Sequence, residues 1–137
     1  MNLLKKEFKG NYDRADFYAR TGMYFAEKKY RREMPYLINT DEKQWCLFYQ
    51  NDTLAGFYAW EEKDDITVIS GFYVTESFRR LGVSEYLLTD IMEHFSAVRM
   101  TTCSQHLIKL LVRRSFERVS IRGSYLTMEW YRDKERN

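Results

Sequence analysis

The sequence predicts an α/β fold with one mixed, mostly antiparallel sheet of six or seven strands and helices on both faces. Three β-type runs at residues 45–50, 54–61 and 66–74 are separated only by short turn sequences, which predicts an antiparallel meander. An amphipathic helical pattern at 82–95 and a further apolar run at 98–102 follow the third strand. A strand, a helix and a strand in this order predict a right-handed parallel crossover, which makes the sheet mixed.

The composition narrows the class of protein. A chain of 137 residues is long enough for one domain, taken as residues 1–137, and its 45% hydrophobic content argues against disorder. Its net charge of +2 is not the strongly basic balance typical of nucleic-acid binding. No apolar run approaches the roughly 18 residues of a membrane span, and no signal-peptide pattern follows Met1. Two cysteines are too few for a metal or disulfide framework, so we expect a soluble cytoplasmic protein with free thiols and no metal.

The N-terminal third predicts a short strand and one helix. Residues 3–8 form the strand, and residues 13–32 have helical spacing of small and aromatic side chains. Pro35 disfavours helical geometry at Met34 and therefore ends the helix there. The meander strands that follow are apolar on both faces, which predicts a sheet covered on both sides.

The C-terminal half predicts two more helices and two closing strands. Helix 82–95 has one apolar face, and Ser104 is expected to be the N-cap of a helix that runs through Arg114. Residues 119–121 and 125–130 are expected to form the closing strands. The charged tail from Arg132 to Asn137 is expected to fray.

The turn at residues 74–84 predicts a phosphate site. It connects a strand to a helix, and the first N–H groups of a helix have no partner within it, while the macrodipole adds partial positive charge. Arg79 and Arg80 add two cations, and Gly82 allows an anion to approach the backbone. We interpret this turn as a pyrophosphate site, with a solvated basic turn as the alternative.

The same turn resembles the acyl-CoA loop of the GNAT acyltransferase superfamily. Val74, Arg79 and Gly82 match the pattern V-x-P-x-x-[QR]-x-x-G-x-[GA], whereas Glu76 replaces its proline and Ser84 its last small residue. The order of strands and helices also agrees. The resemblance covers residues 54–116 well and the N-terminal third only by element order.

The resemblance implies where acetyl-CoA, the expected acyl donor, would lie. The backbone at 72–74 would pair with the pantetheine arm as an added strand does, and the N–H groups at 79–84 would receive the pyrophosphate. The thioester would lie where the sheet splays apart between the strands 66–74 and 98–102. The implied cofactor-binding residues are Phe72, Tyr73, Val74, Arg79, Arg80, Leu81, Gly82, Val83 and Ser84.

The catalytic positions of the superfamily are altered in this chain. Its usual tyrosine falls on Leu111 and its usual glutamate on Val68. Ser104 and Tyr73 are the remaining candidates for catalytic residues, with an N-cap role and a core role as their respective alternatives. A neutral amine at pH 7 costs roughly 4.6 kcal/mol when the amine pKa is about 10.4, so the absence of a base slows the reaction.

The first functional hypothesis is therefore an acyl-CoA-dependent N-acyltransferase. It would move an acetyl group from acetyl-CoA to a primary amine, small-molecule or protein, by direct attack in a ternary complex. A catalytically weak or inactive fold that serves as a CoA-binding or protein-interaction module is the alternative that Leu111 and Val68 favour. A homodimer through the closing strands is a further open possibility. Four cations lie around the last helix, and there are three alternatives for their role. They would reach the 3′-phosphate of CoA, keep the helix surface solvated, or bind nucleic acid. The four residues are Lys109, Arg113, Arg114 and Arg118.

Overall fold

The computed structural model describes residues 1–133, which form seven strands and four α-helices around one sheet. The elements are β1 (Leu4–Phe8), α1 (Arg14–Ala26), α2 (Lys28–Glu33), β2 (Gln44–Gln50), β3 (Thr53–Lys63), β4 (Ile66–Val74), α3 (Val83–His94), β5 (Ala97–Thr102), α4 (Gln105–Arg113), β6 (Glu117–Arg122) and β7 (Tyr125–Tyr131). A short 3₁₀ turn, Glu76–Phe78, lies between β4 and α3.

The strand order is β1-β2-β3-β4-β5-β7-β6. Only β4 and β5 are parallel, and α3 makes the crossover between them; every other neighbouring pair is antiparallel. The prediction of a mixed, mostly antiparallel sheet with six or seven strands is therefore confirmed.

The sheet separates between β4 and β5. These strands share only three register pairs, the last of which joins Ile69 to Met100. A bulge in β4 lies directly after this pair, because Phe57 faces Tyr73 whereas Ala59 faces Ser70. Gly71 within the bulge has a φ of +58°, and a Cβ there would lie 3.1 Å from the Trp45 ring. The bulge turns the end of β4 away from β5 and leaves an opening between the two strands.

Helices cover both faces of the sheet. Helices α3 and α4 pack on one apolar cluster, whose buried members include Leu87, Ile91 and Leu111. Helix α1 packs on the other face, where Phe17 and Trp45 are fully buried. On this second face the cover extends over β2, β3 and the end of β4.

The prediction of a single helix over residues 13–32 is wrong. Glu27 has extended geometry, with φ −76° and ψ 136°, and separates α1 from α2. The break allows the Tyr30 ring to pack on Tyr24, with centroids 4.6 Å apart, and on Tyr73 of β4, with centroids 6.4 Å apart. Tertiary packing therefore overrides local helix propensity here. Helix α2 ends at Glu33, before Pro35, as predicted.

The start of the tail is held in place, contrary to the expectation that it frays. The Arg132 N–H donates to the Ser96 carbonyl at 2.9 Å, and its guanidinium donates to the carbonyls of Met92 and Phe95. The rest of the predicted tail, residues 134–137, lies outside the described residues. Within residues 1–133 no helix is both long and apolar enough to span a bilayer.

Candidate functional site

The opening between β4 and β5 continues into a cleft of about 670 Å³. Its walls are the end of β4, the loop after it, the start of α3, one side of α4 and the segment that follows α2. Eight of the nine predicted cofactor-binding residues line it: Phe72, Tyr73, Val74, Arg79, Arg80, Gly82, Val83 and Ser84. Leu81 is 56% exposed and is not part of this lining.

The start of α3 presents unpaired backbone donors to the cleft. Gly82 is the N-cap, has a φ of +83° and lacks a side chain to accept a hydrogen bond. The first helical bond runs from the Tyr86 N–H to the Gly82 carbonyl at 3.1 Å. The N–H groups of Val83, Ser84 and Glu85 therefore have no acceptor within the helix. Nothing lies within 4 Å of a Cβ built on Gly82, so glycine is needed there for its backbone angle.

The two arginines of the loop have different surroundings. Arg79 Nε donates to the Val74 carbonyl at 3.1 Å, and its Nη2 donates to the Tyr73 hydroxyl at 3.0 Å and to Glu33. By contrast, within residues 1–133 no side chain forms an ion pair or hydrogen bond with Arg80. The sequence predicts both guanidiniums as phosphate ligands. In this structure the Arg79 guanidinium is held by protein groups, whereas the Arg80 guanidinium has no partner within residues 1–133.

A second ion pair joins α2 to the same loop. Lys29 Nζ lies 2.9 Å from Glu76 Oε2, and both side chains are exposed. Glu76 stands where the motif has proline, so this departure from the pattern places a carboxylate opposite α2. Together with the pair between Glu33 and Arg79, it connects the helix to the loop at two points.

Tyr73 lies between the loop and α2. Its hydroxyl donates to Glu33 Oε2 at 3.1 Å and accepts from Arg79. Burial raises the pKa of the Tyr73 phenol, and the Glu33 carboxylate raises it further. The phenol proton is thus engaged by a carboxylate of the protein.

Ser104 occupies the N-cap of α4, as the sequence predicts. Its Oγ accepts from the Leu107 N–H at 3.2 Å, and the residue lines the cleft. Because a hydroxyl donates as well as accepts, its hydrogen is still available. Leu111 is fully buried in the core, and Val68 lies half-buried in β4 before the bulge.

Tyr36 and Glu33 line the cleft, and the sequence did not single them out. The half-exposed Tyr36 ring meets Tyr125 edge-on, with centroids 6.3 Å apart, and so links the segment after α2 to β7. Burial raises the pKa of Tyr36, and the nearby Cys103 thiol adds to that effect. Glu33 lies two residues before Pro35 and Tyr36 directly after it, and a helix end followed by proline does not reveal which neighbours face a cleft.

The four cations around α4 lie at different places and do not form one cluster. Arg113 lines the cleft, whereas Arg118 lines a separate groove between α4 and β6. Arg114 donates to Thr89 Oγ1 at 3.1 Å, and Lys109 is exposed. One of the four residues is therefore placed to reach a ligand in the cleft.

The family assignment rests on the whole domain. The sequence model of the acetyltransferase (GNAT) family matches residues 2–122. The chain belongs to the GNAT family. Its splayed β4 and β5 and its open α3 terminus are where the resemblance implied the acyl-CoA site of a GNAT protein. No curated protein sequence matches the chain.

Solved structures confirm the GNAT fold over nearly the full length of the chain. Escherichia coli ElaA has a TM-score of 0.69 at 19% identity, over 93% of this chain and 99% of its own. A Bacillus subtilis acetyltransferase in complex with CoA has a TM-score of 0.67 at 15% identity, over 95% and 99%. An Elizabethkingia anophelis GNAT acetyltransferase with acetyl-CoA bound has a TM-score of 0.65 at 14% identity, over 95% and 98%.

Proposed function

We propose that this GNAT protein is an N-acetyltransferase that moves an acetyl group from acetyl-CoA to a primary amine. The observation that carries the proposal is the uncapped start of α3, which opens with Arg80 onto the cleft between β4 and β5. The complexes of the B. subtilis and E. anophelis proteins with CoA and acetyl-CoA support the choice of donor.

The chain offers donors along the whole length of such a ligand. The free edge of β4 at residues 72–74 would pair with the pantetheine arm. The amides from Leu81 to Ser84 and the Arg80 guanidinium would hold the diphosphate through charge-assisted hydrogen bonds. Arg113, at the α4 side, is suited to a further phosphate.

The thioester supplies an activated carbonyl, so the protein needs to orient the amine and handle protons. A thiol has a pKa of about 8.5, which makes thiolate a fair leaving group even without strong acid help. Tyr36 is our first choice for the proton donor, because it lines the cleft and its hydroxyl forms no hydrogen bond within residues 1–133. Ser104 is the second choice. Tyr73 has its proton engaged by Glu33, which favours a positioning role.

A CoA-binding or protein-interaction module is the second candidate function. Leu111 and Val68 favour it, because neither can transfer a proton.

Small-molecule and protein amines both stay open as acceptors. A homodimer would use β6, which is the exposed edge next to β7. The expected cytoplasmic setting is consistent with the free thiols of Cys46 and Cys103.

Thermal unfolding with and without CoA tests the proposal. A ligand at 100 times its Kd should stabilise the wild-type protein by about 2.7 kcal/mol. Gly82→Glu places a carboxylate at the amide cluster and should abolish this stabilisation.

Gly123→Glu is the matched control, because Gly123 also has a positive φ of +59° and open space around it. It should keep the full effect of CoA. No stabilisation of the wild-type protein at millimolar CoA would refute the site. Stabilisation without thiol release from acetyl-CoA across a panel of amines would favour the binding module.

A further inference from the structure

Glu33 ends α2 with its carboxylate in the wall of the cleft. The side chain is 36% exposed, and both oxygens are in use. Oε2 accepts from the Tyr73 hydroxyl at 3.1 Å, and Oε1 pairs with the Arg79 guanidinium. The proposed acetyl transfer does not yet use this residue.

Arg79 shows that this position is a binding site for a cation. Its guanidinium is held by the Glu33 carboxylate and the Tyr73 hydroxyl, and its carbon lies 5.3 Å from the centroid of the Tyr73 ring. A carboxylate, a hydroxyl acceptor and an aromatic face are also the groups that bind an alkylammonium ion. The arginine therefore occupies a place that suits the charged head of an amine.

Arg79 also has an alternative partner close by. It lies in the loop that leads to the uncapped start of α3, the proposed diphosphate site. A diphosphate carries more charge than one partly exposed carboxylate and accepts a guanidinium through two parallel bonds. A bound diphosphate thus competes with Glu33 for Arg79.

We propose that Glu33 binds the ammonium group of the acceptor, and that CoA frees it by drawing Arg79 to the diphosphate. This inference rests on the proposed function. It assigns the acceptor to primary alkylamines that are positively charged when they bind, and it makes CoA bind first. Without CoA, Arg79 fills the amine subsite; with CoA, the subsite presents the Glu33 carboxylate and the Tyr73 ring.

Apart from Arg79, no cation within residues 1–133 forms an ion pair with Glu33. Lys29 on α2 pairs with Glu76, 2.9 Å away. Arg80 faces the cleft from the loop. Loss of Arg79 would therefore leave the Tyr73 hydroxyl as the remaining side-chain hydrogen-bond donor to Glu33 within residues 1–133.

Calorimetric titration with a series of n-alkylammonium salts, from methyl to hexyl, tests the proposal. The wild-type protein should bind these amines at least about tenfold more tightly with saturating CoA than without it, because charged hydrogen bonds are gained. Glu33→Gln should lose this gain, and its CoA affinity should equal or exceed that of the wild-type protein, because the diphosphate no longer has to draw Arg79 from a carboxylate. Arg79→Met should bind the amines without CoA, since the subsite is already free.

Glu76→Gln is the matched control, because it breaks the other ion pair between α2 and the loop and leaves Glu33 intact. It should behave as the wild-type protein does. Amine affinity that is independent of CoA, absent in every state, or unchanged in Glu33→Gln would overturn the proposal. If the wild-type protein does not bind CoA in the thermal assay, the proposed function itself is refuted. If it binds CoA but the amine titration gives one of the contrary results, only the role of Glu33 is refuted.

Discussion

The two ends of the cleft are built in different ways. The loop end consists of backbone: a strand edge, an N-cap glycine and the first amides of α3, all within residues 72–85. The acceptor end depends on side chains that distant parts of the chain bring to the cleft, such as Glu33 of α2 and the pair of Tyr36 with Tyr125. A short motif can specify a backbone site, whereas a site made of side chains depends on the whole fold.

Tyr36→Phe gives the largest effect expected at the acceptor end. Loss of the hydroxyl removes the proposed proton donor, and kcat should fall by about 10²-fold while the KM for acetyl-CoA stays unchanged. Steady-state kinetics with an amine that the wild-type protein acetylates measures kcat and the KM for acetyl-CoA. Because phenylalanine keeps the ring contact with Tyr125, a purely structural role would leave kcat alone.

Tyr125→Phe is the control for this variant, since it alters the other ring of the same contact. It should keep most of the wild-type kcat. If Tyr36→Phe retains wild-type kcat and Ser104→Ala does not, the proton donor is Ser104.

The pH dependence of stability tests the burial of the Cys46 thiol, which lies in the core and does not line the cleft. Burial raises the pKa of the Cys46 thiol to about 11. A thiol whose folded pKa exceeds its unfolded value stabilises the protein fully below the unfolded pKa, and this contribution is lost as pH rises through the folded pKa. Between pH 8 and 10.5 it should remove about 2 kcal/mol from the free energy of unfolding.

Urea titrations of wild-type protein and Cys46→Ala over this pH range measure the loss. The variant should lack this part of the slope, and what is left includes Tyr58, whose pKa burial also raises. Equal slopes in the wild-type protein and Cys46→Ala would contradict the burial of Cys46.

A pair of glycine substitutions gives the smallest effect and contrasts the loop with a plain helix end. Ser115 and Arg80 have φ values of +71° and +67°, which strain any side chain other than glycine. Ser115→Gly should add about 1 kcal/mol to the free energy of unfolding and leave CoA affinity unchanged. Arg80→Gly should relieve similar strain but weaken CoA binding about tenfold. Urea unfolding measures the free energy of unfolding of each variant, and a CoA titration measures its affinity. Equal CoA affinity in both variants would exclude Arg80 from the site.

The sequence predicted the parts of the molecule that local physics determines. The β4–α3 turn, the parallel crossover and the Ser104 cap lie where strand alternation, turn residues and capping chemistry indicate them. These features involve residues that are close in sequence.

Features that depend on long-range contacts were not predicted. The helical pattern breaks at Glu27, where Tyr24 packs on Phe57 of β3 and Tyr30 on Tyr73 of β4, and no local signal marks that position. Arg79 appeared free for phosphate because Glu33, 46 residues earlier, is not visible as its partner in the sequence. Tyr36 reaches the cleft only because the segment after α2 crosses to β7.

The most direct test of the phosphate site is an amide NMR titration of the wild-type protein with CoA. If the diphosphate lies against the exposed donors of α3, the N–H resonances of Gly82, Val83 and Ser84 should show the largest downfield shifts, and they should saturate together. Saturable changes elsewhere, with these three resonances unmoved, would show that CoA binds at another place and would contradict the account.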